Sequence, residues 1–320
     1  MPVVIIGVSE GGFAALPTAV QTRIAAADHV IAAPRFHQHL PKGPLVEDWP
    51  SPFGDVVARI ETLRDRNLVI LATGDPLWYG AWATLIDRLG HAACEVIPGV
   101  SGFQLAATRM GWPLALCETL TIHGRPVEAI LPRLYPRARL LLLAENGGSP
   151  AQVASWLVAA GYGRARITVL AHIGGDQEVR FDGLADTWDH QAVPDFHILA
   201  VDCSECAPSA AGQVLADDIY ENSGKLTKRD ARASALAKLA PFPGAVLWDV
   251  GCGSGAVAID FLRRAPRATA FAIDRDEKQI AMAERNARKT GVPHLNLVQA
   301  KLPDALADLP RPDAIFIGGG

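Results

Sequence analysis

The chain shows no basic excess, no long apolar run and few cysteines. Its 320 residues carry 30 Lys and Arg against 34 Asp and Glu, a formal net charge of -4. With no Lys/Arg run either, nothing points to nucleic acid or an anionic membrane surface as a partner. Apolar stretches are interrupted well short of the ~20 residues that a membrane-spanning helix requires. The N-terminus, MPVVIIGVSEGG, lacks a basic leader and breaks at Gly7, so it reads as a buried strand and not a signal peptide. Five cysteines (Cys94, Cys117, Cys203, Cys206 and Cys252) are scattered through a chain large enough to fold without cross-links. They are expected to be reduced thiols of a cytoplasmic protein. Cys203 and Cys206 form a C-x-x-C, but no second ligand pair stands nearby, so no metal is expected. Internal repeats and low-complexity tracts are absent as well.

What is present is an alternation of short β-branched runs with helical stretches. The length suggests two domains of ordinary size, and 49% hydrophobic against 20% charged residues suits a well-cored soluble protein. Strands are expected at residues 3–6, 68–72, 94–98, 139–144, 165–171 and 196–201, most of them buried on both faces. Between them lie helical stretches such as WATLIDRLG (82–90) and SPAQVASWLVAAG (149–161). In the second of these Ser149 is the expected N-cap, Pro150 the first helical residue and Gly161 the stop. Residues 1–201 therefore read as one α/β domain and 202–224 as a linker. Residues 225–320 form a second α/β unit, with an amphipathic helix at 228–240 and strands at 245–250, 268–273, 295–299 and 313–317.

The stretch LWDVGCGSGAVAID (247–260) brings an apolar strand into a glycine turn and on into a helix. Gly251, Gly253 and Gly255 let the backbone turn tightly and approach a ligand, and Ala256 and Ala258 let the helix lie close to the sheet. A dinucleotide would set its pyrophosphate there, and Asp249 beside the loop would repel it. S-adenosylmethionine has no phosphate and carries a sulfonium and an ammonium, which a carboxylate suits. Asp274 ends the next strand about twenty residues on, where an acid accepts hydrogen bonds from ribose hydroxyls.

LTKRDARASALAKLAPFPGAVLWDVGCGSGAVAIDFL (226–262) resembles the opening of the cobalamin-pathway methyltransferases that methylate C15 and decarboxylate an acetate side chain. In them a T-K-x-x-x-R helix precedes the glycine loop, matched here by Thr227, Lys228 and Arg232. The resemblance implies that Lys228 and Arg232 bind the carboxylates of a tetrapyrrole substrate. PDAIFIGGG resembles the fourth strand and following glycine turn of that family, whereas Ala300-Lys301 replaces its frequent Gly-Asp. A domain of this class would need roughly sixty to ninety residues more. The second unit is thus expected to be incomplete, with strand 313–317 a bare edge, weak S-adenosylmethionine binding, and neither C15 methylation nor decarboxylation.

In the first unit LATGDPLWYG (71–80) sets Gly74-Asp75-Pro76 between a buried strand and a helix, and Pro76 forces Asp75 into an extended conformation. EVIPGVSGFQLAATRMGWP (95–113) and TIHGRP (121–126) follow. Together these resemble the tetrapyrrole methylase family, in the branch that methylates C5 of a precorrin ring, over most of residues 1–201. The resemblance implies two α/β subdomains with cofactor and macrocycle in the cleft between them. Gly74, Asp75, Leu77, Ser101 and Gly102 would hold the cofactor, and His123 and Arg125 would meet substrate carboxylates or handle protons. The family's first loop, G-x-G-P-G, reads Gly7-Val8-Ser9-Glu10-Gly11-Gly12 here.

The two resemblances together imply an α/β enzyme: a two-subdomain tetrapyrrole methylase fold followed by a partial Rossmann-like class I methyltransferase domain. It would methylate precorrin-6Y at C5 and C15 from S-adenosyl-L-methionine and release the C12 acetate carboxyl. A cobalt-containing precorrin, or a second domain acting only as a binding module, are the alternatives. A homo-oligomer is expected.

Overall fold

The apolar runs legible in the sequence become the inner strands of three separate sheets. The computed structural model describes residues 2–51, 55–79, 85, 88–190, 192–206, 214–265, 267–301, 303 and 306–318. The first sheet comprises β1 (Val3–Val8), β2 (His29–Ile31), β3 (Leu45–Glu47), β4 (Leu68–Thr73) and β5 (Cys94–Ile97). Its order is β3-β2-β4-β1-β5 and every pairing is parallel. Such a sheet is covered on both faces, which accounts for the unbroken apolar run of β1. Val4, Ile6 and Val8 pack on one face with Ile24 of α1 (Thr18–Ala25) and Phe36 of α2 (Pro34–His37). Val3 and Ile5 pack on the other with Val56 and Ile60 of α3 (Val56–Thr62). The helix expected over 82–90 falls largely outside the described residues.

The second sheet follows α4 (Gly102–Met110) and contains β6 (Glu118–Thr121), β7 (Arg139–Leu143), β8 (Arg166–Ala171), β9 (Val179–Leu184) and β10 (His197–Asp202), with α5 (Ser149–Ala159) between β7 and β8. Its order is β6-β7-β10-β8-β9, with only β6 and β7 parallel. Phe103, Ala106 and Ala107 of α4 pack on Leu141, Ile198 and Ala200, and α5 covers the opposite face through Val153 and Leu157. Ser149 is not the N-cap of α5. Gly148 holds that position, and Ser149 turns its hydroxyl back to accept the N–H groups of Glu145 and Asn146 at 3.0 and 3.1 Å.

The third sheet, preceded by α6 (Arg229–Leu239), is fully parallel. It runs β11 (Val246–Val250), α7 (Ala256–Arg264), β12 (Thr269–Asp274), α8 (Glu277–Lys289), β13 (Asn296–Gln299) and β14 (Ala314–Ile317), in the order β13-β12-β11-β14. The chain order reverses between β11 and β14, the switch point at which open parallel sheets bind ligands beyond their carboxyl ends. The later part of the expected linker is not loose: Val214, Leu215 and Tyr220 are buried in this core.

Candidate active sites

The first site gathers where β1, β4 and β5 end. A Cβ on Gly7 would stand 2.3 Å from Gly74 O and 2.4 Å from Gly99 N, so three strand ends touch backbone to backbone. Gly74 has a φ of 71° and donates its N–H to Val8 O at 2.8 Å. Asp75 Oδ1 accepts the N–H of Leu77 at 2.8 Å, closing an Asx turn around the buried Pro76, while Leu77 itself is exposed. Ser101 is the N-cap of α4 in a capping box with Gln104: each side chain accepts the other residue's N–H, at 3.2 and 2.8 Å. A Cβ on Gly102 would fall 2.3 Å from Ile198 Cδ1, so glycine is what lets α4 approach β10. Gly74, Ser101 and Gly102 adjoin, a Cβ on Gly74 lying 3.6 Å from both others.

His123 and Arg125 stand beyond the end of β6 and are exposed. His123 Nδ1 is 3.3 Å from Glu145 Oε2, a carboxylate oxygen that also accepts the N–H of Gly124. The Arg125 guanidinium lies 5.9 Å from the centre of the Tyr79 ring, and Tyr79 OH donates to Thr119 O at 2.9 Å. These contacts bring the His123–Arg125 turn to the segment after Asp75, from one sheet to the other.

A neighbouring cluster has no forewarning in the sequence beyond the unusual Glu10. Arg35 Nε lies 2.9 Å from Glu10 Oε1, its guanidinium sits between the rings of Phe36 and Phe196 at 4.6 and 4.5 Å, and it donates to Thr73 Oγ1 at 2.5 Å. Glu10 also pairs with His172, 3.7 Å away.

The second site follows β11. Gly251, Gly253 and Gly255 have φ values of 70°, 52° and 75°, a left-handed course that side chains with a Cβ resist. Gly318, past β14, closes on the same turn: a Cβ there would sit 2.8 Å from Gly251 O. Asp274 accepts the N–H of Gly253 on Oδ2 at 3.1 Å and that of Asp276 on Oδ1 at 3.0 Å. A carboxylate has about four acceptor sites, so capacity remains for two ribose hydroxyls.

Asp249 stands at the end of β11, where the glycine turn begins. It is 1% exposed, lies beneath the loop and accepts the N–H of Ala258 at 3.1 Å. Burial, with a smaller contribution from the charge of Asp274, pushes its carboxyl up to about 7.

Arg232 requires a correction. Far from facing substrate carboxylates, its side chain is fully buried. It donates to Asp260 at 2.9 Å, to Asp217 at 2.7 Å and to the carbonyls of Thr227 and Leu215, and it stacks on Tyr220. Every face of the guanidinium is engaged inside the protein, which makes it a cross-link between α6, α7 and the 214–220 segment. Lys228 is exposed, with its Nζ 3.9 Å from Asp217.

These residues fit S-adenosylmethionine at the second site. A glycine cradle, a buried carboxylate without a buried cation partner among its described contacts, and an acid at the next strand end suit a cationic nucleoside without phosphate. At the first site, backbone close to backbone and a capped helix start offer N–H and C=O groups to a ligand laid across Gly74, Ser101 and Gly102.

Residues 2–188 match the family described as tetrapyrrole (corrin/porphyrin) methylases, and residues 218–320 the precorrin methyltransferase domain. The chain is 36% identical over 326 aligned residues to a precorrin-6Y C(5,15)-methyltransferase [decarboxylating] of Sinorhizobium sp, covering 99% of this chain and 78% of that protein. A Mycobacterium tuberculosis protein of the same name is 35% identical over 85% of this chain and 68% of its own length. Among solved structures, uroporphyrin-III C-methyltransferase from Thermus thermophilus, complexed with S-adenosyl homocysteine, shares the fold of the first two sheets. It has a TM-score of 0.51 and 17% identity, and covers 63% of this chain and 97% of its own. The chain belongs to the precorrin-6Y C(5,15)-methyltransferase family, in which a tetrapyrrole methylase domain and a precorrin methyltransferase domain lie on one polypeptide.

Proposed function

We propose that this chain is a two-site methyltransferase acting on precorrin-6Y: the first site methylates C5, and the second methylates C15 with loss of the C12 acetate carboxyl as carbon dioxide. S-adenosylmethionine supplies the methyl group of each transfer. The observation that carries the reading is the pair of separate strand-end sites, Gly74/Asp75/Ser101/Gly102 and Asp249/Gly251/Gly253/Gly255/Asp274, on unrelated sheets. Each joins glycine-lined backbone to a carboxylate. Residues 1–201 would carry the first activity, 225–320 the second and 202–224 the connection between them.

Methyl transfer is an in-line displacement that returns an electron pair to sulfur, so the protein's work is positioning and exclusion of water. At the first site Asp75, tied into its Asx turn, is aimed by the buried Pro76. His123, held near Glu145, is placed to take the proton that the ring releases after methylation, and Arg125 to hold a peripheral carboxylate. At the second, ionised Asp249 meets the ligand's ammonium from below and Asp274 its ribose. Lys228, exposed at the start of α6, is the candidate there for a substrate carboxylate. A tetrapyrrole with several carboxylates is the partner these cations suit, and no helix among the described residues is long and apolar enough to cross a membrane.

Calorimetric titration with S-adenosylhomocysteine tests the reading. Two binding events per chain are expected, one removed by Asp75→Ala and the other by Asp274→Ala. A single event, or tight NAD binding in its place, contradicts it.

A further inference from the structure

Directly after the Asx turn at Asp75 the chain exposes Leu77, Trp78 and Tyr79 in succession, at 61%, 38% and 44%. Leu77 is among the residues expected at the cofactor, but two aromatic rings in a row facing water after it are not accounted for by cofactor binding. Three further observations concern the same residues. Tyr79 has a φ of 57°, a left-handed conformation that is strained for an aromatic residue and persists only where the surroundings hold it. The Tyr79 hydroxyl is anchored on Thr119 O of β6. Both rings also rest on Phe103, which is buried just past Ser101 and Gly102, with centroids 5.7 Å from Trp78 and 5.9 Å from Tyr79. Finally, Arg125 lies over the Tyr79 ring from the second sheet.

We propose that Trp78 and Tyr79, backed by Phe103 and edged by Arg125, form the platform on which the first site receives the face of the macrocycle. The inference rests on the reading of that site as a tetrapyrrole methyltransferase and adds the residues that recognise the substrate. A conjugated macrocycle offers a broad apolar face, which stacks on rigid aromatic side chains at little cost in rotamer freedom. Its rim bears carboxylates, which a guanidinium at the edge of the platform pairs with. The Tyr79 anchor spans from the first sheet to the second, so it holds the platform at a fixed distance from Gly74 and Asp75. The rings therefore set where the reacting ring carbon stands relative to the methyl donor.

The test uses the full chain with precorrin-6Y, a stable corrinoid polycarboxylate and the fully esterified form of that corrinoid. Dissociation constants are compared with that of S-adenosylhomocysteine at the first site, in wild type and in Trp78→Ala, Trp78→Phe, Tyr79→Phe and Arg125→Gln. Trp78→Ala is expected to weaken every tetrapyrrole roughly tenfold or more, and Trp78→Phe, which keeps a flat ring, only a few-fold. Arg125→Gln should weaken the polycarboxylates and leave the ester unchanged. S-adenosylhomocysteine affinity should stay within about twofold of wild type in both Trp78 variants. Tyr79→Phe keeps the ring and loses the anchor, so it should lower kcat more than it changes tetrapyrrole affinity. Wild-type tetrapyrrole binding that survives Trp78→Ala overturns the platform alone. Equal loss of tetrapyrrole and S-adenosylhomocysteine in both Trp78 variants also overturns it, since the segment then only supports the cofactor loop. A wild-type chain that binds S-adenosylhomocysteine at the first site but no tetrapyrrole overturns the methyltransferase reading itself.

Discussion

Asp249→Asn separates stability from binding at the second site. In the folded chain burial pushes the Asp249 carboxyl up to about 7, against ~3.9 in the unfolded chain. Between those values the folded state holds a proton that the unfolded chain has released. The stability this contributes is fully present below about pH 4, falls as pH rises, and is lost once pH passes about 7. At ~1.4 kcal/mol per unit, the loss amounts to at most ~4 kcal/mol. Asparagine keeps an oxygen for the Ala258 N–H and cannot ionise. The variant's second unit should therefore match wild type near pH 4 and exceed it at pH 8, measured by urea unfolding across that range. Cofactor binding should move the other way. The ionised carboxylate pairs with the ligand ammonium, so wild-type affinity for S-adenosylhomocysteine at this site should climb as pH passes 7. At pH 8 the variant should bind roughly ten- to a hundredfold more weakly, the span of a charged hydrogen bond. Wild-type affinity that is flat from pH 6 to 8, or an Asn variant that binds equally at pH 8, would refute the role given to Asp249.

Asp274→Ala should weaken the second site by ~1.5–3 kcal/mol in calorimetry while leaving the first site untouched. Arg232→Met leaves Asp260 buried without its cation, so chemical unfolding of the second unit should show a loss of ~3–5 kcal/mol, with Lys228→Met near wild type. Gly7→Ala sets a Cβ against the backbone of Gly74 and Gly99, so it should abolish cofactor binding at the first site, read by the same calorimetry, and leave the second intact.

The fold was legible wherever a strand is buried on both faces. Residues 3–6 and 68–72 are unbroken apolar runs because helices cover both sides of a parallel sheet. The three-residue strands β2 and β3 are too short to show such a run, although Val30 and Ile31 of β2 are buried, and the half-exposed hairpin strand β9 interleaves polar with apolar residues. Glycine turns were equally legible, because left-handed backbone at Gly74, Gly251, Gly253 and Gly255 needs glycine whatever surrounds it. Side-chain roles set by distant partners were not. Arg232 reads as a substrate-binding cation of an amphipathic helix until Asp260, 28 residues later, folds against it. The burial of Asp249 is set by α7 closing over it, and Ser149 reads as a cap until its hydroxyl turns back to the preceding loop. Nothing local marks Tyr79 as left-handed or as the partner of Thr119 on the other sheet.

The most direct test of the two-site account is to incubate the chain with precorrin-6Y and S-adenosylmethionine labelled in its methyl carbon, and to read methyl count, label position and carbon dioxide loss by mass and carbon NMR. The account predicts label at C5 and C15 with loss of one carboxyl, Asp75→Ala removing only the C5 label and Asp274→Ala only the C15 label. No label in the ring, label at C5 alone with no carbon dioxide released, or both labels lost together in either variant, would contradict it.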